Sequence, residues 1–303
     1  MNDTEKTADT QALLDSIRRL SRPLLPRATG FPARLAPLAD IRAFIFDIYG
    51  TLLISGSGDV GPASAQQSEQ ALREALSASG LPVEQVGAEV PAAEILVESI
   101  AEAQALRRNE GIEYPEVDII AVWRQVLAKL FPRVSSPDVS QARLRRLALE
   151  YECRTNPVWP MPGMRATLAA LQASGRRLGI VSNAQFYTPL MFHALLDETT
   201  DELGFDRRLC AWSYKVLEGK PSVRLFRQVL DELTTAHGIG PEQTLYVGND
   251  MLKDIWPARQ LGFKTALFAG DRRSLRLRED DERCQGLQPD LVIDQLSQLV
   301  EVC

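Results

Sequence analysis

The chain has 303 residues, 45% of them hydrophobic, enough for one large or two modest domains with a sizeable core. Its net charge of -6 excludes the broad basic footprint that nucleic acid selects and leaves a small molecule as the expected partner. No stretch approaches the apolar length of a membrane span, Met1 to Thr10 lacks the basic-then-apolar order of a signal peptide, and Cys153, Cys210, Cys284 and Cys303 form no C-x-x-C pair. These features lead us to expect a cytoplasmic protein with reduced thiols and no membrane partner; they leave the oligomeric state open. With His193 and His237 the only histidines, carboxylates must carry the chemistry.

In chain order, Leu13, Ile17 and Leu20 fall at helical spacing and predict an N-terminal helix within residues 11–22. Pro23, Pro26 and Pro32 then mark a Pro-rich lead-in that reaches residue 40. The short apolar stripe of the helix is read as packing on its own domain rather than on a membrane. Residues 41–46 form an apolar, β-branched and aromatic run that ends at Asp47 and Gly50, the profile of a central strand covered on both faces. The glycine-rich residues 55–61 follow, read as a flap and hinge more than as a phosphate cradle.

Residues 62–157 carry helical patterns without a convincing buried strand, an insertion after the first strand that closes at the Pro157–Pro162 linker. Arg107, Arg108 and Tyr114 lie within it. Arginines suit phosphate or carboxylate recognition, although a solvated helix face is the plainer reading. Beyond the linker, strands are predicted at residues 177–182, 244–248, 264–268 and 290–293, with helices at 164–174, 222–233 and 255–261. Trp123 and Trp256 read as packing residues. Alternating strands and helices predict an α/β fold with a parallel sheet and ligands beyond the carboxyl ends of its strands. Residues 41–61 and 158–303 would form this core.

Every chemical motif falls at such a strand end or in the loop after it. Asp47 leaves the first strand ahead of Gly50, which permits a sharp turn, and Thr51, which offers a hydroxyl. Ser182 and Asn183 end the second, and Lys220 precedes Pro221 and a helix start. Asn249 and Asp250 follow Gly248, with Asp254 four residues on. Two such acids beside Asp47 would repel one another unless a cation or a proton intervened, and magnesium suits oxygen ligands that also hold phosphate.

The order Asp47-x-x-Gly-Thr-Leu, Ser182-Asn, Lys220-Pro, Gly248-Asn-Asp-x-x-x-Asp resembles the haloacid dehalogenase superfamily of hydrolases from residue 41 to about residue 294. The resemblance implies a Rossmann-like core with a helical cap inserted after the first strand. It makes Asp47 the nucleophile of a covalent aspartyl intermediate, Ser182 a clamp on the transferred group, Lys220 a counter-charge, and Thr51 and Asn183 phosphate-binding groups. It further implies magnesium held by Asp47, the backbone carbonyl of Tyr49, and Asp250 or Asp254. Family members place an acid immediately after the glycine, where this chain has Asn249, so the choice between Asp250 and Asp254 stays open.

Tyr49 decides between reactions. Phosphatases of the superfamily carry a second aspartate there as general acid, a contribution of roughly a hundred to ten thousand fold. The Asp-x-Tyr form is similar to that of the 2-haloacid dehalogenases, which use no metal. The paired acids Asp250 and Asp254 favour magnesium and phosphoryl transfer, because with Asp47 around Lys220 they would leave a bare negative cluster. The expectation is therefore a magnesium-dependent phosphatase acting on a small phosphorylated metabolite. The alternatives are metal-independent dehalogenation and a weakly active relative that works by binding a partner.

Overall fold

The structure, a computed structural model, describes residues 3–57, 65–131 and 139–302. Its main sheet contains β1 (Ala43–Phe46), β4 (Arg177–Ser182), β5 (Phe205–Trp212), β6 (Thr244–Gly248), β7 (Lys264–Phe268) and β8 (Leu291–Ile293), all parallel, in the order β5-β4-β1-β6-β7-β8. The strands β2 (Leu53–Ser55) and β3 (Val158–Pro160) form a separate antiparallel pair. Successive side chains of a strand point to opposite faces. Phe44 and Phe46 accordingly enter one core with Leu178 and Val247, while Ala43 and Ile45 enter a second with Phe226 and Tyr246. Both faces are covered, so β1 is apolar at all four positions and every one is buried.

The predicted strands 177–182, 244–248 and 264–268 coincide with β4, β6 and β7, while β5 was not anticipated. It is one of the two edge strands, and Asp206, Arg207 and Arg208 break the apolar run that marks its neighbours. The helix expected at 255–261 is present from Trp256 to Gln260, where Pro257 fits its first turn, and an unanticipated π-helical turn at Met251–Ile255 precedes it.

Helix α1 (Asp3–Leu20) extends further towards the N-terminus than its apolar stripe suggests. Between β2 and β3 lie α2 (Ala65–Ala78), α3 (Ala92–Asn109), α4 (Ile119–Leu130) and α5 (Gln141–Thr155), with no strand among the described residues of that span. Beyond β3 come α6 (Met164–Ala173) and α7 (Thr188–Leu196). Helix α1 buries Leu13, Leu14 and Ile17, and bridges two regions: Ser16 Oγ donates to Glu150 of α5 at 2.8 Å, and Arg18 pairs with Asp197 after α7 at 2.7 Å. No described helix is long and apolar enough to cross a membrane. Residues 58–61 of the glycine-rich stretch, Pro62 at the start of the insertion, and Cys303 lie outside the described residues.

Candidate active site

The carboxyl end of β1 delivers Asp47 between β4 and β6, where its backbone N–H donates to Val247 at 2.9 Å. Gly50 turns the chain at φ +83°, and a Cβ there would lie 2.4 Å from that of Ser274, so glycine is required twice over. The Asp47 side chain is asymmetric. Its Oδ1 accepts from Ser182 Oγ at 2.8 Å and from Lys220 Nζ at 2.7 Å, whereas among the described residues no hydrogen bond to Oδ2 is found. Ser182 thus aims its hydroxyl at Asp47 itself.

Lys220 also reaches Asp254 Oδ1 at 2.5 Å, so one buried ammonium joins two buried carboxylates. Burial opposes its charge, yet Asp254 and Asp47 hold it above the ordinary lysine range. Asn183 grips the Lys220 main chain, accepting from its N–H at 2.7 Å. Burial, joined by the charges of Asp47 and Asp250, pushes the Asp254 carboxyl up to about 6 despite Lys220. Gly248 makes room for that carboxyl, since a Cβ there would lie 2.4 Å from Asp254 Cγ. Tyr246 completes the group: its hydroxyl lies 3.1 Å from Asp254 Oδ1 and 2.9 Å from the Val181 carbonyl. The motif contained Tyr246, but nothing in its position assigned it this contact.

The other acid is engaged elsewhere. Asp250 accepts from Leu252 N and Lys253 N at 2.9 and 3.1 Å, and Arg278 Nη2 donates to its Oδ2 at 2.6 Å. Although burial opposes it, Arg278 with these N–H groups holds Asp250 below the usual carboxylate range. The expected bare negative cluster therefore needs correction, because Arg278 supplies a second cation from a segment no motif reached. Asn249 takes Thr51 Oγ1 on its Oδ1 at 3.0 Å and donates to the Ser274 carbonyl at 2.6 Å, which ties Thr51 to the loop after β6.

The donor chemistry here suits a hard divalent cation. Asp47, Asp250 and Asp254 are oxygen donors whose mutual repulsion is visible at Asp254. Lys220 and Arg278 carry part of that load. No three His, Cys, Asp or Glu side chains among the described residues stand close enough to hold a metal ion by themselves. A cation would therefore draw on the main chain and on ligands beyond the protein, as magnesium commonly does.

Above this floor, Tyr49 turns its hydroxyl to Thr188 Oγ1 at 2.9 Å. Burial first, then Glu152, raises the phenol well above its usual range, so it does not ionise near neutrality. Glu152, in the last turn of α5, accepts from Tyr187 at 3.0 Å and from Asn156 Nδ2 at 3.1 Å. Burial raises its carboxyl, and no cation pairs with it among the described residues. The sequence reading missed Glu152, which looks like any acid in a charged helix. Of the insertion residues singled out, Tyr114 bonds Arg283 at 2.9 Å and accepts from Gly219 N at 2.8 Å. Arg107 pairs locally with Glu110, and Arg108 is exposed. Trp123 is buried in the core, whereas Trp256 faces the guanidinium of Arg283.

Comparison with known proteins gives three findings. The model of the haloacid dehalogenase-like hydrolases matches residues 41–274. Glyceraldehyde 3-phosphate phosphatases of Methanothermobacter thermautotrophicus and Methanocaldococcus jannaschii are 31% and 27% identical, over 47% and 59% of this chain and 58% and 68% of their own lengths. The matched part of the chain thus spans little more than half of the first of these relatives. The crystal structure of a 2-haloacid dehalogenase from Pseudomonas syringae pv. Tomato DC3000 superposes with a TM-score of 0.58 at 23% identity, covering 86% of this chain and 97% of that one, a likeness of fold.

Proposed function

The chain belongs to the haloacid dehalogenase-like hydrolase family, and from that premise we propose that it is a magnesium-dependent phosphatase of a small phosphorylated metabolite, with Asp47 as nucleophile. The observation that carries this reading is the buried Asp47–Lys220–Asp254 chain, two carboxylates on one ammonium. Such a site is one positive charge short of receiving an anion, and a bound cation supplies it. The relatives named for glyceraldehyde 3-phosphate support a small substrate.

In this reading Asp47 attacks phosphorus in line through Oδ2, because Ser182 and Lys220 hold Oδ1 and fix the carboxylate plane. The P–O bond to the leaving group breaks and an aspartyl phosphate forms. Lys220, aligned by Asn183 and Asp254, balances the charge that spreads over the equatorial oxygens. Water then attacks phosphorus, releasing phosphate and restoring Asp47. Magnesium, held by Asp47, the Tyr49 carbonyl and Asp250 or Asp254, would screen the phosphoryl oxygens. Helices α2–α5 act as a cap whose two connections meet at the β2–β3 pair, where Gly56 N donates to Pro157 O at 2.8 Å. The protein works in the cytoplasm.

Tyr49 favours a second reading, metal-free dehalogenation, since a halide leaves without a proton. One assay separates the two. We expect hydrolysis of an aryl phosphate that a chelator abolishes and magnesium restores. Halide release from 2-haloacids that resists the chelator, with no phosphate released from any ester, would overturn the phosphatase reading.

A further inference from the structure

Two donors fix the Asp47 carboxylate, Ser182 Oγ at 2.8 Å and Lys220 Nζ at 2.7 Å. Ser182 is the last residue of β4, and Lys220 lies in irregular chain beyond the short helix Ser213–Val216. Irregular chain holds a side chain to the tolerance that chemistry needs only where neighbouring structure supports it. Leu217, three residues ahead of Lys220, adopts φ +56°, a left-handed conformation that leucine keeps only where its surroundings impose it.

The support comes from the insertion, in the chain between α3 and α4. Glu116 N–H donates to the Leu217 carbonyl at 3.2 Å, and the Tyr114 carbonyl accepts from Gly219 N–H at 2.8 Å, an antiparallel bridge that stops one residue short of Lys220. Pro115 stands opposite Glu218, at the position of such a bridge that needs no N–H. The Glu116 side chain reaches towards the other donor. Its Oε2 accepts from Ser213 Oγ at 2.8 Å, and that hydroxyl accepts in turn from the N–H of Ala184 at 2.9 Å, two residues beyond Ser182. Its Oε1 accepts from Gln185 Nε2 at 3.2 Å. Asn183 joins the two segments, accepting from Lys220 N–H at 2.7 Å.

We propose that Glu116 is a positioning residue that ties the insertion to the chain behind Ser182 and ahead of Lys220, and so sets both hydrogen bonds on Asp47. It acts through these partners and not on the substrate, and its effect on the rate rests on the reading of Asp47 as nucleophile. Each link is a hydrogen bond or a few residues of chain: Glu116 to Ser213 to Ala184 and back to Ser182, and Glu116 to Leu217 and on to Lys220. In-line attack requires the Asp47 carboxylate plane to be held, and a misplacement of about 1 Å can cost on the order of a hundredfold in rate. The insertion thus contributes to catalysis from a segment that carries no reacting group.

With enzyme in saturating excess over an aryl phosphate, the single-turnover rate constant reports the aim of Asp47 and not the folded fraction of a preparation. For E116A we expect that constant to fall roughly ten- to a hundredfold, with the half-saturating concentration moved by less than about threefold. E116Q, which keeps one acceptor oxygen, should lie between E116A and wild type, and it carries the same test if E116A does not fold. S213A should also slow the reaction, and E116A/S213A should be within about threefold of the slower single variant, because both remove one shared link. Amide hydrogen exchange gives a reading that needs no turnover. In E116A, protection at residues 183–186 and 217–220 should drop by roughly five- to tenfold, the weight of one hydrogen bond, while β6 keeps its wild-type protection. An unmoved rate constant, or unmoved exchange at those residues, would overturn the assignment while sparing the phosphatase reading. Wild type that hydrolyses no phosphate ester would overturn that reading, and the exchange result then decides the positioning role by itself.

Discussion

The floor of the site, at the carboxyl end of the sheet, and the last turn of α5 each hold a carboxyl group, and their surroundings differ in kind. On the floor, Asp47 shares the ammonium of Lys220 with Asp254, and every partner comes from the segment that follows the carboxyl end of a core strand. In α5, Glu152 is held by the neutral donors of Tyr187 and Asn156, with no cation paired to it among the described residues. At Glu152 burial raises the carboxyl against the hydrogen bonds from Asn156 and Tyr187, which lower it.

The comparison breaks most visibly at Lys220. Replacing it with Met leaves Asp47 and Asp254 buried without their shared cation, a change that typically costs about 3–5 kcal/mol. Thermal unfolding of K220M should shift down accordingly, and a melt unchanged from wild type would show that the floor does not depend on this pairing. E152Q, acting where no cation is involved, should unfold close to wild type. A smaller effect sharpens the account of the floor. Arg278 competes with any metal for Asp250, so R278Q should lower the magnesium concentration for half-maximal activity by roughly three- to tenfold, the weight of a partly exposed ion pair of about 1 kcal/mol. An unchanged magnesium requirement would assign the metal to Asp254 rather than Asp250.

Much of the floor was legible in the chain because each of its groups follows a short apolar strand, and local sequence records that pattern well. Asp47, Ser182, Lys220 and Asp254 converge as the motif order implies. What local pattern could not convey was the assignment of hydrogen bonds. No motif signalled that Thr51 binds Asn249 or that Asn183 holds the main chain of Lys220. Arg278 was hidden because it lies in irregular chain beyond β7, at a φ of +55° that no periodicity signals. Glu152 was hidden for a different reason. Its partner Tyr187 is 35 residues away, and Ser55, which orients Asn156, is 101 residues from that asparagine, so only the folded chain distinguishes it from the solvated acids of the neighbouring helices. The edge strand β5 was lost to its own charges, which edge positions tolerate and central strands do not.

The central claim is covalent attack by Asp47, and acid-quench trapping tests it most directly. Enzyme mixed with excess aryl phosphate and magnesium, quenched within a turnover and digested, should yield the peptide containing Asp47 with one added phosphoryl group, and D47N should yield none. Phosphate release at full rate from D47N, or a phosphoryl group trapped on any other residue, would contradict the account.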